Sequence, residues 1–515
     1  MTAATAAGWR ARRAFWGALS RLKFTATKPL TVPKPTDDAR SIVPVPFHDR
    51  YPDIPITGVY VADHAPADES DVKVRLFCAL QAWLARTFSP MQPGVPPVDA
   101  DPFMALVTAY PAANRRLYRA PVRPPGYDPV DLGLLAVASP YACYLERVDD
   151  PASARSRYRW DLEVLASYAC HPGVHSPWAV VDFEPDDAGR ALRATRITSA
   201  LGSTEPHDPE WATAQRLALC AASTHLTLVR HFNWLHLVCG ASAAIAMHNC
   251  LSAGHPVRTL LQPHLYATHF GNEIVTRIAL APGGDFESIF SYTHDGMCRL
   301  FSDTASGFDL RMIHPFCDAE HRGVVDVPGG TPALDNRLDL WRVIHDHVER
   351  FMSRYFARTA DLRGDLQYAR WLDVLTEMIP AGVQELVGTP LTLEGSVELL
   401  STLVYMATVE HEIVDANIFD YQLWNDVQPA RVYETGVAEP LDVYQRLVDY
   451  NFILSVNRTP LMSEFSSLVP HDDRQGRAAF VEFRKDLNSL QMRIDQLPPA
   501  VWRIEPRALR ANMNY

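Results

Sequence analysis

The chain of 515 residues is predicted to be mainly α-helical, with a few short strands and a metal centre held between long core helices. Three observations predict this. Residues 209–253 contain no proline after Pro209 and are apolar over most of their length, as a buried helix requires. Helical spacing of apolar residues returns at 336–358, 365–379, 393–418, 440–455 and 472–494. His231 and His236 sit in the first of these stretches, and His411 and Asp415 in a later one.

The elements follow in order. Residues 28–55 are rich in proline, which fixes φ and removes donors, so extended irregular chain is expected. Residues 71–88 are amphipathic at helical spacing, and a second proline-rich stretch covers 90–130. Short apolar runs at 133–147 and 159–168, and WAVVDFEP at 178–185, supply the expected strands. The expected division is a lead-in over 1–130 and a helical domain over 131–515. Within the lead-in, Arg10, Arg12, Arg13, Arg21 and Lys23 interleave with Trp9, Phe15, Trp16, Leu19, Leu22 and Phe24. A helix packed on the domain, a free tail, or a peripheral membrane contact through residues 9–24 all stay open.

Composition narrows the partners. A net charge of -12 argues against a stably bound nucleic acid, which needs a basic footprint. The eight cysteines form no CxxC pair and fit a reducing compartment, so a cytoplasmic location, with or without membrane association, is expected. No run of 18 apolar residues exists, so no membrane span is expected. GASAA at 240–244 reads as close helix packing, since it lacks the Lys-Ser/Thr of a phosphate loop. His345 and His347, two residues apart, cannot converge on one ion and are expected at the surface.

The histidines carry the functional signal. A lone helical histidine is usually structural, but unpaired imidazoles in an apolar helix are costly. His231 and His236 are five residues apart, so on a regular α-helix they diverge by about 140°. A π-type turn would bring them together, and such turns mark functional sites. His411 and Asp415 are four apart and converge without distortion. Three histidines and a carboxylate suit iron, with manganese as the second choice, better than a structural zinc.

HFNWLH at 231–236 followed by HPVRTLLQPH at 255–264 resembles the lipoxygenase signature: His-x4-His, then His-x8-His, here with a gap one residue longer than usual. LAPGGDFES at 280–288, NRLDLWRVIHDHVERFMSRYF at 336–356 and HEIVDANIFDYQLW at 411–424 continue the resemblance over roughly residues 140–515. The resemblance implies that His231, His236 and His411 are catalytic metal ligands, and that His255 and His264 are structural. It implies further ligands in Asp415, where the family has a neutral Asn, and in the carboxylate of Tyr515, where the family ends in isoleucine. An N-terminal β-sandwich domain is expected to be absent, as in a compact bacterial-type or diverged member. The oxygen-controlling position falls near Val275 or Thr276.

The activity so implied is that of a non-haem iron dioxygenase. It abstracts hydrogen from a polyunsaturated fatty acid or similar lipid and inserts O2 to give a hydroperoxide, so the partners are an apolar substrate and O2. Two alternatives stand beside it: the same scaffold oxidising a substrate other than a fatty acid, which Asp415 motivates, and a non-catalytic relative.

Overall fold

The computed structural model describes residues 3–27, 31–36, 41–88, 123–148, 157–438, 443, 446–447, 449–450, 458–498 and 502–513. Helix α1 (Ala3–Ala26) and helix α2 (Val72–Thr87) form an outer pair near the N-terminus. Between them β1 (Pro44–Pro46) pairs antiparallel with β2 (Tyr60–Ala62). The Asp71 carboxylate starts α2 by accepting from the backbone N–H groups of Lys73 and Val74.

A five-stranded antiparallel meander follows in chain order: β3 (Glu146–Val148), β4 (Arg157–Asp161), β5 (Ala179–Pro185), β6 (Leu192–Ser199) and β7 (Gly202–Thr204). Ala179, Val181 and Phe183 alternate inward along β5, and Tyr158 and Trp160 do so along β4. The strand expected at 178–185 is therefore present. The run at 133–147 is mostly helical instead: Leu132–Val137 and then a 3₁₀ turn at Pro140–Tyr144 precede the three residues of β3. Two caps decide this. Asp131 accepts from Leu134 N, and Ser139 accepts from Tyr141 N with Pro140 opening the turn.

Helix α3 is the axis of the molecule. It runs as regular α-helix over Trp211–Thr224, as π-helix over His225–Gly240, and again as α-helix over Ala241–Cys250. Every residue from Leu217 to Met247 is buried, which explains why its sequence is apolar on all sides. Helix α4 (Pro256–Leu265) and α5 (Thr268–Val275, continuing in π geometry over Thr276–Leu280) fold back on it. Helix α6 (His294–Ala305) packs along the π segment of α3. Helix α7 (Pro332–Tyr355) starts at a proline in its first turn, and α8 (Leu366–Met378) lies against the end of α3.

Helix α9 is the second axis: Leu393–Tyr405 in α geometry, Met406–Glu410 in π, His411–Ala416 in α and Asn417–Tyr421 in π. Helix α10 (Arg474–Ile494) covers α7. The helical patterns read at 336–358, 365–379, 393–418 and 472–494 are all helices within a few residues, while much of 440–455 lies outside the described residues.

One apolar core joins these parts. Trp16 and Phe24 of α1, Phe47, the inward side of the meander and helices α3 to α10 share one buried cluster. Both the lead-in and the expected helical domain contribute to it. His347, expected at the surface, is fully buried and stacks on Phe483 at 4.2 Å between centroids, because α10 covers that side of α7. His345 does reach partial exposure, where it pairs with Glu398.

Candidate metal centre

The π segment of α3 closes the geometric gap between the first two histidines. Its hydrogen bonds run between residues five apart, so positions 231 and 236 come onto one side. The His231 and His236 Nε2 atoms are 3.2 Å apart. His411 enters from α9, with its Nε2 at 3.1 Å from His231 and 3.0 Å from His236. All three rings are at most 3% exposed. They form the one fully buried group of metal-binding side chains among the described residues.

The His236 ring is fixed from outside the triangle. Asn272 on α5 places its Oδ1 2.9 Å from His236 Nδ1, and its amide donates to His236 O at 2.8 Å. The proton therefore sits on Nδ1, and Nε2 points a bare lone pair at its two neighbours. Burial lowers the proton affinity of all three, to about 4 for His236, so each is neutral at pH 7. Neutral imidazoles aimed at one point are the form in which histidine binds a metal. An ion about 2.1 Å from three nitrogens holds them about 3.0 Å apart at right angles, and about 3.4 Å apart in a tetrahedron. The observed 3.0–3.2 Å falls within that range, so the three nitrogens form a donor set that one metal ion would fit.

No family model matches the chain. It is similar to the polyunsaturated fatty acid lipoxygenase ALOX15 of Oryctolagus cuniculus, 23% identical over 355 residues, 63% of this chain and 52% of that protein. It is also similar to the human hydroperoxide isomerase ALOXE3, 26% identical over 203 residues, 39% of this chain and 28% of that one. The aligned region thus spans about half or less of these relatives. Among solved structures, an internal-deletion variant of a lipoxygenase in complex with arachidonate superposes with a TM-score of 0.70 at 16% identity, covering 92% of this chain and 79% of the other. The manganese lipoxygenase of Gaeumannomyces graminis superposes with a TM-score of 0.68 at 12% identity, covering 92% and 96%. The chain is a relative of the lipoxygenases.

The remaining expected residues of this lipoxygenase relative lie as follows. Asp415 follows His411 by one turn but is outside the triangle. Its Oδ2 makes an ion pair with Arg510, and Arg458 stands 3.8 Å away. Arg510 also pairs with Glu412, so two acids and two guanidiniums face one another beside His411. Burial and the neighbouring Asp420 raise the Asp415 carboxyl, while Arg458 opposes that shift. Tyr515 lies outside the described residues. Met513, two residues earlier, is buried against Gly240 at the end of the π segment. A Cβ on Gly240 would stand 2.2 Å from Met513 Cε and 2.6 Å from Leu235 O, so the close packing read into GASAA is set by the backbone of α3, with the C-terminal tail alongside.

Val275 and Thr276 are buried where α5 passes into its π segment, one turn beyond Asn272. His255 and His264 are occupied elsewhere. His255 accepts from Val257 N and meets Asp365 at 3.0 Å, and His264 donates to Ala511 O at 2.8 Å.

Three groups of residues escaped the sequence reading. Asn272 fixes the His236 ring, and its only signal was an amide in a buried helix. Glu410 on α9, Arg230 on α3 and Arg337 on α7 form a buried ion triad, each next to or near a ligand helix. Glu410, beside His411, is 1% exposed and pairs with both arginines. Arg510 and Arg458 come from distant chain and left no local pattern.

Proposed function

We propose that the chain is a non-haem iron oxidoreductase that inserts O2 into a polyunsaturated fatty acid or similar lipid to give a hydroperoxide. The observation that carries this is the triangle of three neutral, buried histidine nitrogens on a lipoxygenase scaffold. Iron, or manganese in its place, supplies one-electron redox chemistry at such a site. His231, His236 and His411 hold the ion. Asn272 orients His236 and keeps its Nε2 unprotonated. Asp415 is the proposed further ligand. An extra anion at 415 would favour the oxidised metal and weaken it as an oxidant. Arg510 and Arg458 beside Asp415 offset that charge, which keeps the proposed chemistry open to a site with Asp in place of Asn. Val275 and Thr276 are proposed to govern where O2 meets the substrate.

The test measures metal content, oxygen uptake and products with linoleate and arachidonate. Near-stoichiometric iron or manganese, oxygen uptake and a conjugated diene hydroperoxide support the reading. A fully loaded protein that consumes no oxygen with either acid refutes it. A second reading is favoured by the likeness to a hydroperoxide isomerase. On that reading the loaded protein consumes a fatty acid hydroperoxide with no oxygen uptake. A protein that binds no metal is the non-catalytic relative.

A further inference from the structure

The helix pair α1 and α2 has an inner face the fold explains and an outer face it does not. The two helices run antiparallel: Trp16 Nε1 donates to Phe88 O at 2.8 Å, and Lys23 Nζ donates to Gln81 Oε1 at 2.8 Å. Trp16, Phe24, Cys78 and Ala85 turn inward and join the core. On the far side of α2, Val72, Leu76, Leu80 and Trp83 are 73%, 66%, 37% and 62% exposed. Their spacing of four, four and three residues puts them in one stripe. Phe15 and Leu22 are 43% and 56% exposed on the outer side of α1, seven residues apart and thus in one stripe too. Exposed apolar side chains scattered singly are normal, but two aligned stripes on adjoining helices mark an interaction surface.

Charge says what it meets. Neither helix contains an acid, while α1 holds five basic residues and α2 three, in a chain whose net charge is -12. Lys23 and Arg75 are used internally, on Gln81 and Glu273. Arg10 and Arg21 on α1 and Lys73 and Arg86 on α2 are exposed, and the latter two flank the α2 stripe. A protein partner is ordinarily met by charges of both signs. Apolar stripes on two helices that carry exposed cations and no acid, with Asp71 only at the start of α2, are the pattern of helices lying in the headgroup region of an anionic bilayer, with tryptophan at the boundary. No described helix is long and apolar enough to cross a membrane, so the contact is superficial.

We propose that the outer faces of α1 and α2 together form a docking surface for an anionic lipid bilayer. It stands apart from the proposed reaction, because vesicle binding requires no turnover. The experiment is co-sedimentation of the full chain with phosphatidylcholine vesicles, with and without phosphatidylglycerol. Wild type is expected to bind the anionic vesicles, and to release as salt shortens the screening length. The Leu76→Glu/Trp83→Glu variant is expected to bind at least tenfold more weakly with an unchanged melting temperature. Neutralising Arg21, Lys73 and Arg86 to Gln should weaken binding roughly fivefold per residue on anionic vesicles only. Three results overturn the proposal. Wild type fails to bind the anionic vesicles; both variants bind like wild type; or wild type is a dimer that Leu76→Glu/Trp83→Glu dissociates while neither form binds vesicles, which assigns the surface to a second copy.

Discussion

Replacing Glu410 by Gln removes the acid shared by two buried guanidiniums, and its cost follows from the structure. The Glu410 side chain is 1% exposed, that of Arg230 7% and that of Arg337 6%. Water cannot take over when the carboxylate is lost. Gln keeps one acceptor where two cations need one each, and turns an N–H donor toward the other. Tyr405 still accepts from Arg337 Nε at 3.3 Å, which spares part of one guanidinium. Breaking a buried pair by deleting one partner costs about 3–5 kcal/mol. Retained amide bonding places Glu410→Gln near about 3 kcal/mol. A chain of 515 residues unfolds with an entropy of about 1 kcal/mol per degree, so the midpoint should fall by about 3 °C.

The same physics makes a second, opposite statement. Replacing all three members by apolar residues, as Arg230→Met, Glu410→Leu and Arg337→Met, should cost less than Glu410→Gln alone, because no uncompensated charge remains. Urea unfolding of the three proteins measures both. Arg230 and Glu410 immediately precede His231 and His411, so metal content should also fall in Glu410→Gln. Unfolding of Glu410→Gln within about 0.5 kcal/mol of wild type, or a triple variant less stable than the single, would show that the triad is not an uncompensated-charge problem when broken.

Four further outcomes are expected. His411→Ala should reduce bound iron or manganese below a tenth of wild type, and should abolish the stabilisation that added metal gives wild type, about 4 kcal/mol at a thousandfold excess over Kd; unchanged metal content would remove His411 from the ligand set. Asp415→Asn removes one of the two carboxylates on the buried Arg510 and should destabilise by about 1–3 kcal/mol, with a fall in metal content only if Asp415 is a ligand. Gly240→Val brings a side chain onto Met513 Cε, 2.2 Å from a Cβ there, and onto Leu235 O at 2.6 Å, so about 2–3 kcal/mol should be lost in thermal unfolding; no loss would mean that the tail does not pack there.

The fourth is a pH dependence. Burial opposes a charged His314, yet its bonds with Cys317 and Glu398 raise it to about 9. Burial likewise opposes Glu398, yet His314 and His345 bring it down to about 2. A raised histidine stabilises fully below its unfolded value near 6.5 and stops doing so as pH climbs through 9. A lowered carboxyl stabilises above its unfolded value near 4.5 and stops as pH falls through 2. Glu398→Gln should therefore lower the melting temperature at pH 6 by more than at pH 10. Equal losses at both would show that the pair is not ionic.

Much of the helical framework was legible because burial leaves a periodic mark. An α3 buried on every side must be apolar on every side, and α7 and α10 show their spacing plainly. Strand β6 was missed because LRATRITS carries polar residues at most positions, and only pairing with β5 makes it a strand. The turns at 132–144 were misread because their caps, Asp131 and Ser139, count for more than the apolar run between them. His347 was misplaced because α10, which buries it, is more than a hundred residues away.

The candidate site divides along the same line. The spacing of His231 and His236 required a π turn if they were to act together, and α3 has one, because a five-residue repeat of ligands needs a five-residue repeat of hydrogen bonds. Residue order by itself determined that a helix would present these two, and that His411 would come from another. Only tertiary structure decided that the three nitrogens lie 3.0–3.2 Å apart, that Asn272 sets the face of His236, and that Asp415 is held by Arg510 and Arg458. The physical reason is range. Helical periodicity is set by neighbours within five residues, whereas charge pairing and ring orientation are set by whichever distant chain the core brings alongside.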